Sequence, residues 1–164
     1  MSKIPRWSQN DPRWSRIKLG DSGLTIGGHG CLLVCLAMAV SITPDKLVKM
    51  LEFTKDGLIL WNDKNKKVLS KLGIDYIGRY RSFDLDDMMK VNEALKKEQV
   101  PILEVRTRRQ GNHWVLPIGR ALTWRGLGWA SNDPWNGRRE WKTVGIGAPY
   151  INELGWLLFE RNNI

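Results

Sequence analysis

The sequence predicts an α+β domain, with helices first and an antiparallel sheet after them. Three observations carry this. Residues 31–42 form an apolar run with almost no polar face, which reads as a central helix buried on most sides. Residues 62–72 and 84–99 repeat their apolar positions at helical spacing. From Pro101 onward, short apolar segments alternate with glycine, asparagine and proline turns, as in an antiparallel sheet. A length of 164 residues suits one domain, taken as residues 1–164, with no internal repeat, low-complexity tract or linker.

The elements follow in order. Residues 1–26 lack periodicity and are broken by Pro5, Pro12, Gly20 and Gly23. They stay ordered only by packing on the body of the domain, with Trp7 and Trp14 as anchors. The stretch Gly27-Gly28-His29-Gly30 then leads into the apolar helix that starts at Cys31. Thr43 and Pro44 suit the cap and first position of a second helix, expected to run to about Phe53. Asn62 to Leu72 is a lysine-rich helix with Val68, Leu69 and Leu72 inward, closed by Gly73. Ile74 to Tyr80 is a strand. Asp84 caps a helix to Gln99 with Leu85, Met88, Met89, Asn92 and Leu95 on its inner face. Strands are expected at 102–105, 113–119, 127–132, 139–144 and 155–160, with turns at 110–112 and 133–137. Pro117 marks an edge or a bulge.

Composition narrows the function. The net charge is +9, which favours anionic partners: nucleic acid, an anionic cell wall or an acidic peptide. Seven arginines fall between Glu104 and Glu140 (Arg106, Arg108, Arg109, Arg120, Arg125, Arg138 and Arg139), a clue to the substrate. No nucleic-acid recognition motif accompanies the charge, so nucleic acid is not an expected partner. No apolar run is long enough to span a bilayer, and the first residues lack the apolar region of a signal peptide. Synthesis in the cytoplasm is expected, and delivery to a cell wall by a phage-type route would leave no such mark. Cys31 and Cys35 lie four apart on one helix, where side chains tilt the same way, so no disulfide is expected. With two histidines and no paired cysteine motif, neither a zinc site nor a cofactor is expected.

Three residues stand where chemistry would need them. Cys31 is at a helix N-terminus, where free N–H groups and the helix dipole favour a thiolate. His113 opens a strand after a glycine turn, and Asp133 closes the next strand. A thiol needs a base, and the base needs a third group to fix its tautomer. If strands 113–120 and 127–133 form a hairpin with its loop centred on Thr123, His113 falls opposite Asp133. A later loop centre moves the partner toward Gly137 but leaves both side chains at one end of the hairpin. Cys35 reads as core packing, and His29, two residues from Cys31, as a loop residue.

Taken together, Gln9-x-Asp11-Pro12-Arg13-Trp14, Gly30-Cys31 with Leu36-Ala37-Met38, His113-Trp114-Val115 and Asp133-Pro134 resemble the papain-like cysteine peptidases of the bacteriocin-leader-peptidase-like branch. The resemblance covers residues 9 to about 140 and rests on the joint order of short motifs. It implies a papain-like fold, with the cysteine helix packed on a C-terminal antiparallel sheet that bears histidine and acid. It also implies that Cys31 is the nucleophile, His113 the general base and acid, and Asp133 the orienting carboxylate, with Asn132 as the alternative. Gln9 is implied as an oxyanion donor, although it lies 22 residues before Cys31, farther than in leader peptidases. Those peptidases front an ATP-driven exporter. This chain has neither membrane helices nor a phosphate-binding glycine loop, so the leader-processing role does not carry over. The expectation is a peptide-bond hydrolase acting on protein or on the peptide part of peptidoglycan. The alternative is an inactive papain-like module that binds an anionic polymer or protein partner.

Overall fold

Helix α2 (Cys31–Ala39) is the centre of the molecule. Leu33, Val34, Cys35, Leu36, Ala37, Met38 and Ala39 are all buried, as expected of a helix apolar all round. Each large apolar side chain so buried contributes roughly 1.5–3 kcal/mol. The computed structural model describes residues 4–81, 84–107, 111–123, 126–143 and 150–162.

The chain is α+β. Around α2 stand the single turns α1 (Ile26–His29) and α3 (Pro44–Leu47), and α4 (Asp63–Lys71). Strand β1 (Ile74–Tyr80) and helix α5 (Leu85–Lys96) follow, then β2 (Val100–Thr107), β3 (Gly111–Thr123), β4 (Gly126–Asp133), β5 (Arg138–Thr143) and β6 (Tyr150–Arg161). The six strands form one sheet in the order β1-β6-β2-β3-β4-β5, with antiparallel neighbours. Alternate residues along the strands enter different cores. Ile102, Leu116, Leu157 and Phe159 join the cluster around α2, whereas Leu103, Val115, Trp156 and Leu158 join Val91 and Ala94 of α5. The sheet is therefore covered on both faces.

Strand β3 joins the two halves of the sheet. Its first half pairs with β2 (Leu103 opposite Val115, Val105 opposite His113). Its second half pairs with β4 (Leu116 opposite Asn132, Pro117 opposite Ser131). Between Pro117 and Gly119 the register slips by a bulge, the irregularity that Pro117 foretold.

Several expectations are corrected. His29 is not a loop residue; it ends α1, which Gly30 caps, with the Thr25 hydroxyl accepting from the Gly28 N–H at the other end. The helix expected from Thr43 to Phe53 stops at Leu47, because the backbone of Glu52 is taken by the buried Asn65 side chain. Asn65 accepts from the Glu52 N–H at 2.8 Å and donates to its carbonyl at 2.8 Å, and Phe53 then bridges Ile59. On α5, Met89 is exposed, while Val91 and Ala94 are buried. The inner face is rotated because Asp87 is buried, closing a capping box with Asp84 and accepting from the Trp156 indole. Finally, the β3–β4 hairpin turns after Thr123 rather than around it, so His113 is not directly opposite Asp133. Parts of the predicted turn at 110–112 and of the strand to 144 lie outside the described residues.

Candidate active site

Cys31 is the first residue of α2, so its N–H has no partner within the helix. The helix begins there because α1 ends against it. A Cβ on Gly30 would lie 2.5 Å from the Ile26 carbonyl oxygen and 2.7 Å from the Ile26 Cα, so only glycine fits at this junction. Cys31 is partly buried, whereas Cys35, one turn on, is fully buried. Burial pushes the Cys35 thiol well up, and its Sγ lies 3.5 Å from the Trp114 carbonyl oxygen. Cys35 is packing, as expected.

His113 and Asp133 meet in the sheet. His113 Nε2 lies 2.8 Å from Asp133 Oδ1, with the two residues only 3% and 6% exposed. The register explains how they meet. Extending the Leu116–Asn132 pairing by one step sets Asp133 across from Val115, on the same face as His113 two residues away. The contact is diagonal rather than the direct opposition expected. Asp133 Oδ1 also accepts from the Trp135 N–H at 2.8 Å, and its carbonyl accepts from the Gly137 N–H at 2.9 Å. The turn thus fixes the carboxylate before it meets the ring.

With Nε2 on Asp133, the other ring nitrogen, Nδ1, is the one that can serve the thiol. The Cys31 thiol is close enough to His113 to act on the titration of the ring. Burial pulls the His113 pKa down, but the hydrogen bonds to Asp133 and Cys31 and their charges outweigh it and raise the pKa from 6.5 to about 9.

Gln9 reaches the same region through contacts distant in sequence. Its backbone N–H donates to the Pro134 carbonyl at 2.6 Å, and its Nε2 donates to the Gly27 carbonyl at 2.7 Å. The residue is 2% exposed. The bond to Gly27 fixes the orientation of the amide and uses one of two N–H groups, leaving the second as a donor. The loop between Gln9 and Cys31 does fold back, through the Lys18–Thr25 bridge and the Ile26 N–H bond to Ile17. Asn132, the alternative orienting residue, is fully buried on another path, donating to the Pro5 carbonyl at 3.3 Å.

The structure thus brings His113 and Asp133 together with Cys31 acting on the ring, fastens Gln9 to the Gly27 and Pro134 carbonyls, and ties Asn132 to Pro5 instead of the histidine. What the sequence did not disclose is the strap that holds them. Ser8 Oγ and Asn10 Nδ2 both donate to the Trp135 carbonyl, at 2.9 and 2.8 Å. Trp14 donates to the Ser8 carbonyl at 2.7 Å and is buried, and Trp7 packs edge-on to it, so the expected anchors do anchor. Gly137, with φ of +66°, lies so close to Trp7 and Ser8 that a Cβ would be 3.1 Å from the Ser8 nitrogen. The turn at 133–137 was visible in the sequence, but the docking of the strap on it across 125 residues was not.

Compared with protein-family models, curated proteins and solved structures, the chain matches none.

Proposed function

We propose that this chain is a cysteine peptidase of papain-like architecture that hydrolyses peptide bonds through Cys31, His113 and Asp133. The observation that carries the reading is a single juxtaposition. A thiol at a helix start lies within reach of a buried histidine whose far nitrogen is held by a buried carboxylate. Buried charged groups are costly to keep unless they are paired, and this pair meets that need at a reactive thiol.

In this mechanism the Cys31 thiolate attacks the substrate carbonyl carbon, forming a C–S bond. Negative charge develops on the carbonyl oxygen. The free N–H of Gln9 Nε2 and the Cys31 backbone N–H are the donors that would receive it. As the C–N bond breaks, imidazolium His113 gives its Nδ1 proton to the departing amine. Water then attacks the thioester while His113 accepts its proton; the C–S bond breaks, releasing the acid and restoring the thiolate and the imidazolium. Asp133 holds the ring in position throughout and stabilises its charged form.

The charge of +9 suits an anionic substrate, either an acidic protein segment or the peptide part of peptidoglycan in a cell wall. Among the described residues no helix is long and apolar enough to cross a membrane. Two assays test the proposal together: cleavage of a mixed peptide library with zymography on purified cell wall, and alkylation of Cys31 by iodoacetamide at pH 6. The expected outcome is turnover that C31S abolishes, with Cys31 alkylated faster than an ordinary thiol. Clearing of cell wall assigns peptidoglycan; peptide cleavage without clearing assigns protein. Absence of turnover with ordinary alkylation would overturn the reading and leave the inactive binding module.

A further inference from the structure

Resting on the peptidase reading, we propose that Arg138 selects substrates with a carboxylate beside the scissile bond. The arginines between Glu104 and Glu140 have no part in the catalytic mechanism, and they are not equivalent. Arg108, Arg109 and Arg125 lie outside the described residues. Arg106, Arg120, Arg138 and Arg139 are exposed. Of these four, Arg138 is in register with the site: it pairs directly across from Asp133 at the end of the β4–β5 ladder. Directly opposed residues on antiparallel strands project from the same face with Cβ atoms roughly 5 Å apart. Arg139 pairs with Asn132 and so projects from the other face.

Arg138 is placed beside a carboxylate without being consumed by it. No ion pair among the described residues includes it. Asp133 gives its Oδ1 to His113 and to the Trp135 N–H, and Asp11, on the adjoining strap, is paired with Arg13 at 2.8 Å. The backbone of Arg138 is fixed, since its N–H donates to Asn136 Oδ1 at 2.9 Å. The result is an exposed guanidinium on an anchored base, one strand over from the carboxylate that holds His113. A guanidinium presents a planar fork of donors that matches a carboxylate with two parallel hydrogen bonds. A peptide crossing the site with an acidic side chain, or a free C-terminal carboxylate, next to the cleaved bond would supply that partner.

The test compares matched fluorogenic peptides that differ only in Glu against Gln beside the cleaved bond, and a second pair that ends in a free carboxylate or an amide. Wild type, R138Q, R138K and R139Q are assayed on all four. Wild type is expected to prefer the carboxylate member of a pair by about ten-fold or more in kcat/KM, the scale of a charge-assisted contact. R138Q reduces the preference to about two-fold or less, R138K keeps part of it, and R139Q leaves it unchanged. The pair that responds tells a side-chain carboxylate from a terminal one. Equal turnover of both members by wild type, or a preference that survives R138Q, overturns the inference while the peptidase reading stands. If wild type cleaves none of the four, fluorescence anisotropy of the labelled Glu and Gln peptides decides. Carboxylate-selective binding lost in R138Q supports the role of Arg138 even though turnover has failed. Binding without selectivity overturns it.

Discussion

Replacing Asp133 with asparagine tests the electrostatics of the site. The asparagine keeps an acceptor for His113 Nε2 but removes the charge. In the wild type the His113 pKa stands at about 9 against 6.5, with burial opposing the rise and the Asp133 hydrogen bond the largest contribution to it. That difference corresponds to about 3 kcal/mol of preferential stabilisation of the protonated ring. The folded chain therefore holds a proton on His113 that the unfolded chain loses above pH 6.5. The stabilisation is complete below pH 6.5 and is lost as pH rises through about 9. Wild-type stability from this group should fall with pH across that window by up to about 1.4 kcal/mol per pH unit. In D133N burial remains while the charge is gone, so the ring loses its proton at much lower pH and the slope largely disappears. Urea denaturation at half-unit steps from pH 6 to 10 measures both curves. They should differ most at pH 6 and converge near pH 10. Histidine Hε1 resonances, assigned with an H29A variant, follow the ring itself. Parallel stability curves, or a D133N ring that still titrates near 9, would refute the reasoning.

Two further predictions bear on the site's supports. Q9A should lower kcat by roughly 10²–10³ with little change in KM, because the lost donor acts on charge that develops in the transition state. A steady-state comparison at saturating peptide checks it; a change in KM alone would assign Gln9 to ground-state binding. G30A forces a Cβ to within 2.5 Å of the Ile26 carbonyl oxygen, so it should cost about 1–3 kcal/mol. Its urea midpoint against wild type measures the loss, and an unchanged midpoint would show that α1 yields without cost.

Much of this architecture was legible in the sequence, and for identifiable reasons. The 31–42 run allowed few positions other than the core, because a helix without a polar face must be enclosed. The strand ending at Asp133 was bounded by Pro134, which has no N–H to continue a ladder. Local chemistry placed Cys31 at a helix start and Asp133 before a turn. What remained hidden was long-range. The hairpin register depended on a bulge at Ile118, whose position follows from how β3 changes partner from β2 to β4. The early end of the helix at Leu47 depended on Asn65 capturing the backbone of Glu52. Met89 could be told from Val91 as the exposed residue only once Asp87 was known to face Trp156. Gln9 could be named from the resemblance, but the path of the strap that carries it could not. Its bonds to Gly27 and Pro134 belong to no periodic pattern.

The strap has a consequence for the birth of the protein. Synthesis passes Gln9 and then Cys31 long before it reaches the Asp133 carboxylate that steadies His113 and the Pro134 carbonyl to which Gln9 is fastened. Contacts across so many residues close late, because the entropy of loop closure must be met before they give anything back. A nascent chain therefore carries its thiol without the histidine or the acid beside it until the strands that bear them have been made. On the peptidase reading proposed above, the order of synthesis itself holds the site incomplete until Asp133 and Pro134 have been made.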